Sequence, residues 1–186
     1  MKKVVLLGDS IRMIGYGPKV AEQLKDEYIV AQPEENCRYA RRTLRGLFDW
    51  QDIIAGADII HWNNGLWDVC DLFGDGPFTP IDEYVNTMLR LCTLLKQRCT
   101  QLIFATSTPV IEPNSHNQNS VIRAYNERIV PLLKEQGCMI NDLYTLIAAD
   151  IPGNIRPDDK IHLTEKGIAL ATEQVISCIR KADGKA

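Results

Sequence analysis

The chain has 186 residues, of which 45% are apolar and 24% charged, and a formal net charge of −3. This is the length of one domain, with enough apolar mass for a core that needs no metal or disulfide staple. The lack of a basic excess argues against a general nucleic-acid binder, and no apolar run reaches the length of a membrane span. We expect one domain over residues 1–182 and a loose tail over 183–186.

The first element is a short apolar run, Val4 to Leu7, behind Met1-Lys2-Lys3. It is too short for a secretory leader and ends in a turn, which predicts a cytoplasmic protein. Six cysteines with neither CxxC nor Cys/His zinc spacing then read as reduced, mostly buried small residues, with no metal site. A helix is predicted over Tyr16–Asp26 and a strand over Tyr28–Ala31. The next helix, Tyr39–Phe48, follows Arg38 and carries Arg41, Arg42 and Arg45, the four at near-helical spacing and read as a solvated face. Ile59–Trp62 is a second continuous apolar strand, and Gly74–Pro77 reads as a loop on the active edge. Asp82–Lys96 is a helix, with acidic residues at its start and Val85, Met88, Leu91, Cys92 and Leu95 on one face. Leu102–Ala105 is the third clear strand and Ser120–Gln136 a helix closed by Gly137. A weak strand at Met139-Ile140 and a helix over Thr164–Lys181 complete the pattern. Strands without polar alternation, alternating with helices, predict an α/β three-layer α/β/α sandwich. Its sheet should be mainly parallel, with about five strands, and ligands should bind at the strands' carboxyl ends.

Two segments carry reactive side chains. The first strand runs into Gly8-Asp9-Ser10, where a serine would be displayed at the sheet's active edge. Alone, that triplet reads equally well as a helix cap. Near the other end, Asp159-Lys160-Ile161-His162 precedes the last helix. On a turn, this spacing lets the carboxylate hold imidazole Nδ1 and leaves Nε2 free as a base. His61 and His116 have no such partner downstream.

Strand–Gly-Asp-Ser at the start and Asp-x-x-His at the end resemble the SGNH, or GDSL, hydrolases over nearly the whole chain. The flavodoxin-like SGNH fold is what this resemblance implies. It also implies Ser10 as nucleophile, His162 as base and Asp159 as its orienting acid, with Asp158 the neighbouring alternative. Ala105-Thr106-Ser107-Thr108-Pro109-Val110, Tyr125-Asn126 and Asn141-Asp142-Leu143-Tyr144 are similar to the family's later strand ends and helix. The family's oxyanion hole needs a glycine and an asparagine. His61-Trp62-Asn63-Asn64-Gly65-Leu66-Trp67-Asp68 departs from the usual Gly-x-Asn-Asp block and favours Asn63 as donor, with Asn64 as the alternative. Cys37, in Glu35-Asn36-Cys37-Arg38, stands where a glycine would lie.

The activity so implied is hydrolysis of a small-molecule ester through a Ser10 acyl-enzyme, with no cofactor. A short acyl group is favoured, carbohydrate O-acetyl among the candidates. Acyl transfer, lysophospholipid or thioester hydrolysis, and a non-catalytic glycan-binding domain are the alternatives. A flavodoxin-like phosphate binder is disfavoured, because Gly8-Asp9-Ser10-Ile11-Arg12 has too few glycines to cradle a phosphate. Asp68 and Asp71 lack a clustered histidine and read as loop caps rather than metal ligands. Oligomeric state is open.

Overall fold

The computed structural model describes residues 1–185. Five strands, β1 (Lys2–Leu7), β2 (Tyr28–Ala31), β3 (Ile59–Trp62), β4 (Gln101–Ala105) and β5 (Met139–Asn141), form one sheet in the order β2-β1-β3-β4-β5. Every pairing is parallel, with Val4 opposite Ile59 and Ile103 opposite Met139. Val4 to Leu7 are completely buried, as the unalternating apolar run requires: strands flank β1 on both edges and helices cover both faces.

A π-helical turn, Ile11–Tyr16, follows β1 and leads into α1 (Gly17–Leu24). The other helices are α2 (Ala40–Asp49), α3 (Gln51–Ile54), α4 (Ile81–Lys96), α5 (Asn119–Glu135), α6 (Leu143–Ala148), α7 (Ile151–Asn154) and α8 (Glu165–Ala182). Helices α2, α4 and α5 pack side by side on one face, and α1, α6 and α8 on the other. The three-layer expectation is therefore met, with helix ends within about two residues of those predicted. The π-helical turn and the short α3 lie outside the predicted elements, as do the short α6 and α7. Asp142 and Asp150 start α6 and α7 by accepting the backbone N–H groups of Thr145 and Gly153. Arg41, Arg42 and Arg45 lie on the outer side of α2, paired with Glu83, Glu35 and Asp49.

Two further features correct or extend the expectations. Asp183, expected at the start of a loose tail, accepts the Tyr28 hydroxyl at 2.9 Å and is also bound by Lys2; Ala186 lies outside the described residues. All six cysteines are free. Among the described residues no helix is long and apolar enough to cross a membrane.

From β1 the chain first winds to β2 on one side and then crosses to β3 on the other. The order of winding reverses between β1 and β3, and the crevice above their carboxyl ends is where a doubly wound sheet binds its ligand. The residues that follow those two strands are Gly8-Asp9-Ser10 and Asn63-Asn64.

Candidate active site

The Gly8-Asp9-Ser10 turn is tightly constrained. A Cβ on Gly8 would stand 2.0 Å from Asn63 Oδ1 and 2.9 Å from Arg12 Cβ, so only glycine lets the strand end approach β3's extension. Asp9 is buried, and its Oδ1 accepts the Ile11 N–H at 2.9 Å. Burial raises the Asp9 carboxyl above its ordinary range, against the hydrogen bonds of Asn63 and Ile11 and the nearby Arg12. The Arg12 guanidinium is buried as well and donates to three backbone carbonyls, those of Gly8, Pro33 and Glu35. It ties the serine turn to the loop that precedes α2. Sequence reasoning missed this role, although a lone arginine in an apolar turn was its visible signal.

His162 arrives from a closed loop. Ile155 and Leu163 form an antiparallel bridge, and the Arg156 N–H donates to the His162 carbonyl at 2.8 Å. Within the loop Lys160 has φ 61°, a left-handed conformation that turns the chain sharply between the acid and the base. Asp159 Oδ1 accepts the N–H groups of Ile161 and His162, and Oδ2 meets His162 Nδ1 at 2.9 Å. Burial pushes the Asp159 carboxyl upward, but those two amides and the imidazole outweigh it and hold the pKa down at about 2. His162 Nε2 lies 2.8 Å from Ser10 Oγ. With Nδ1–H donating to the carboxylate, Nε2 is the acceptor for the serine proton. Asp158 pairs with Arg156 instead, so it is Asp159 that reaches the imidazole.

The side chains weighed for an oxyanion hole are placed differently from one another. Asn63 turns against the Gly8-Asp9 end of the serine turn, where Oδ1 accepts the Tyr16 hydroxyl at 2.9 Å. Asn64 turns toward the loop before α2, with Nδ2 donating to the Arg38 carbonyl at 2.8 Å. Its own carbonyl accepts Tyr84 Oη–H and Ser107 Oγ–H, which pins the segment between β3 and Gly65. Cys37 has no free amide to offer, contrary to expectation. Its N–H donates to the Gly8 carbonyl at 3.1 Å, and the Gly8 N–H points back at its Sγ at 3.2 Å. The residue with a glycine-like backbone is the next one. Arg38 has φ 52° and its N–H donates to Asn36 Oδ1 at 2.8 Å. A non-glycine residue in this region is strained and must be held by its surroundings. Here Asn36 and Asn64 do so from either side.

Asp68 is completely buried and caps α2, with both carboxylate oxygens within reach of the Ala40 N–H, at 3.2 and 3.0 Å. Burial pushes its pKa up to about 7, against hydrogen bonds from Thr79 and Ala40. Asp71 accepts the Gly74 N–H. Both aspartates thus act as loop caps. His61 is buried, meets Asn141 Nδ2 through Nε2 at 3.1 Å, and is kept neutral by desolvation, with a pKa near 3. It supports β3 and lies outside the reactive set.

Ser10 and His162 stand on a ridge between two clefts. One, of about 480 Å³, runs along the start of α8 past Arg156, Thr164 and Glu165. The other, of about 280 Å³, lies toward the loop that follows β3 and is walled by Leu66, Trp67, Cys70 and Phe78. A larger hollow beside α5, walled by Arg123 and Tyr144, does not touch the serine.

The wound parallel sheet thus brings the serine after its first strand and the Asp-x-x-His before its last helix together at one edge. No protein-family model matches the chain. It is 26% identical over 124 residues to the GDSL esterase/lipase WDL1 of Oryza sativa subsp. japonica, covering 59% of this chain and 48% of that protein. Against the GDSL esterase/lipase CPRD49 of Arabidopsis thaliana it is 28% identical over the same shares. The match thus spans about half the length of these curated relatives. Among solved structures, the acetyl xylan esterase AlAXEase superposes with a TM-score of 0.79 at 20% identity, covering 95% of this chain and 99% of that one. Axe2, an acetylxylan esterase from Geobacillus stearothermophilus, gives 0.73 at 19% identity, covering 95% and 93%. A lipolytic G-D-S-L family protein from Veillonella parvula gives 0.77 at 17% identity, covering 95% and 97%. At these identities the structural likeness is one of fold. The curated GDSL esterase/lipases add a likeness in sequence over 124 residues.

Proposed function

We propose that this protein is a serine esterase that works through an acyl-enzyme on Ser10. The observation that carries the reading is the relay of 2.8 Å from Ser10 Oγ to His162 Nε2 and 2.9 Å from His162 Nδ1 to Asp159. His162 takes the serine proton as Oγ attacks the ester carbonyl carbon, forming the tetrahedral intermediate. The imidazolium then protonates the alcohol oxygen as its bond to carbon breaks. A water molecule, deprotonated by the same nitrogen, releases the carboxylic acid from Ser10. Asp159, ionised down to about pH 2, holds the ring in the needed tautomer and stabilises its charged form.

The developing oxyanion lies between the serine turn and the loop of Arg38. We assign its donors as the Ser10 amide, the Arg38 amide and Asn64 Nδ2. Asn36 Oδ1 and the Arg38 carbonyl occupy the last two at rest. An anionic acceptor makes a hydrogen bond roughly twice as strong as a neutral one, which favours exchange of these partners in the transition state. Arg38 thereby takes the place expected of Cys37, and Asn64 that favoured for Asn63. The acetyl xylan esterases sharing this fold suggest an acetyl on a carbohydrate as one acyl group, and the cleft beside Ser10 bears on whether a longer one fits better.

The test pairs a fluorophosphonate probe with p-nitrophenyl ester turnover, on wild type and on Ser10→Ala and His162→Ala. Wild type should label on Ser10 and turn over, and both variants should lose at least about a thousandfold in kcat. A wild type that neither labels nor turns over any ester sinks the reading. Activity that survives Ser10→Ala would remove Ser10 from the reaction.

A further inference from the structure

We infer that the cleft behind Ser10 on the β3 side is an acyl pocket, built for a chain of about four to eight carbons rather than for acetyl. The inference rests on the acyl-enzyme reading above and deepens it. The pocket of about 280 Å³ is walled by Leu66, Trp67, Cys70, Leu72, Phe78 and Ile161, and its floor touches Ser10 and His162. A single methyl group would leave most of that volume wet or empty, whereas each methylene placed against such walls leaves water.

Its surface is mostly apolar, and of its polar side chains Asn117 is engaged. Asn117 Nδ2 donates to the Leu66 carbonyl at 3.0 Å, and its Oδ1 faces Cys70 Sγ. The Arg38 guanidinium lies over the Trp67 ring, 5.8 Å from its centroid, and Tyr39 packs on Phe78 at 5.2 Å between centroids. A sugar ring would meet mostly apolar walls, with Arg38 and Tyr39 the main groups left to replace its lost water. An alkyl chain has nothing to lose.

The second cleft supplies the complementary argument. It carries Arg156, Thr164 and Glu165 as well as Ile11, Ile14 and Ile168 beside the same serine and histidine, and has the larger volume of about 480 Å³. The alcohol must leave from beside His162 Nε2, and water must enter there while the acyl chain is still bonded to Ser10. A wider cleft with charged groups at its mouth suits the departing alcohol and the incoming water, and the narrower, more apolar one suits the group that stays. Trp67, Leu72 and Phe78 are 40%, 45% and 47% exposed while their inner faces wall the pocket, so the chain itself would cover part of them.

The experiment uses two ester series on the intact chain. In one, p-nitrophenol is constant and the acyl group runs from acetate through butyrate and hexanoate to octanoate. In the other, acetate is constant and the alcohol runs from methanol to hexanol and naphthol. Each buried methylene is worth about fourfold, so kcat/KM should rise by at least tenfold from acetate to hexanoate. Cys70→Phe, which fills the pocket, should lower the hexanoate-to-acetate ratio at least tenfold. Phe78→Ala, at a half-exposed site, should lower the same ratio by removing a wall. A flat or falling acyl series with turnover present overturns the acyl pocket and leaves the esterase reading standing, as does a rise confined to the alcohol series. No turnover and no fluorophosphonate label on Ser10 removes both.

Discussion

Gly8→Ala is a one-methyl change that the structure predicts to be severe. The added Cβ would lie 2.0 Å from Asn63 Oδ1, where such contacts stay above 3.0 Å, so a gap of 1.0 Å must open. Asn63 cannot yield freely, because it is 3% exposed and its Oδ1 holds the Tyr16 hydroxyl at 2.9 Å. On the other side Arg12 Cβ is 2.9 Å away, on a residue whose guanidinium is bound to three carbonyls. If Asn63 swings aside, two buried polar groups lose their partner, at about 1–3 kcal/mol. If the strand end moves instead, Ser10 leaves its 2.8 Å contact with His162. A displacement of about 1 Å at a reacting group costs roughly a hundredfold in rate. Thermal melting of wild type and variant should show a fall of roughly 2–4 °C for each kcal/mol lost. Turnover of p-nitrophenyl butyrate should fall at least tenfold, with slower labelling by a fluorophosphonate. A variant with wild-type melting and a rate within twofold of wild type would refute this account of why glycine precedes the Asp-Ser pair.

Two other substitutions probe the relay and its support. Asp159→Asn keeps an acceptor for the Ile161 and His162 amides but turns an N–H toward Nδ1, forcing the other imidazole tautomer. It should cost about 10⁴ in kcat with little change in melting, and a loss below tenfold would contradict the orienting role. Asp68 ionises near 3.8 when unfolded, but burial holds its proton to about pH 7 in the fold. Between those values only the unfolded chain gives up the proton, so ionisation favours unfolding. Wild-type stability relative to Asp68→Asn should therefore fall as pH rises from 4 to 7, by up to about 1.4 kcal/mol per unit, and level off above. Urea unfolding of both proteins at pH 4.5, 6 and 7.5 measures this, and a pH-independent difference would show that Asp68 does not carry the proton.

The three unbroken apolar strands and the long helices were readable because their signal is local. Side chains that must be dry on both sheet faces show no polar alternation, and a one-sided helix repeats every three to four residues. The short α6 and α7 had only their aspartate caps as signals, one residue each, and were passed over. Ser10 and the Asp159–His162 pair were also readable as candidates, since each sits within a few residues of the element that presents it.

The surroundings of the serine turn were not readable in the same way. Asn63 and Asn64 are adjacent, yet one turns against the serine turn to Tyr16 and the other toward Arg38, and only the packing of β1 against β3 decides which is which. A missing glycine suggested Cys37, whereas the left-handed residue is Arg38, held by Asn36 from its own loop and by Asn64 from 26 positions away. Arg12 and the acyl-side walls likewise depend on segments that meet only after folding.

The sequence by itself therefore determined the layers, the serine at the end of β1 and an Asp159–His162 pair preset by a four-residue turn. Only the tertiary structure decided that this pair stands 2.8 Å from the serine across 152 residues, and which amides and apolar walls surround it. The physical reason is range. Periodicity and turn chemistry act over a few residues, whereas a reaction site is assembled from strand ends that the sheet order brings together.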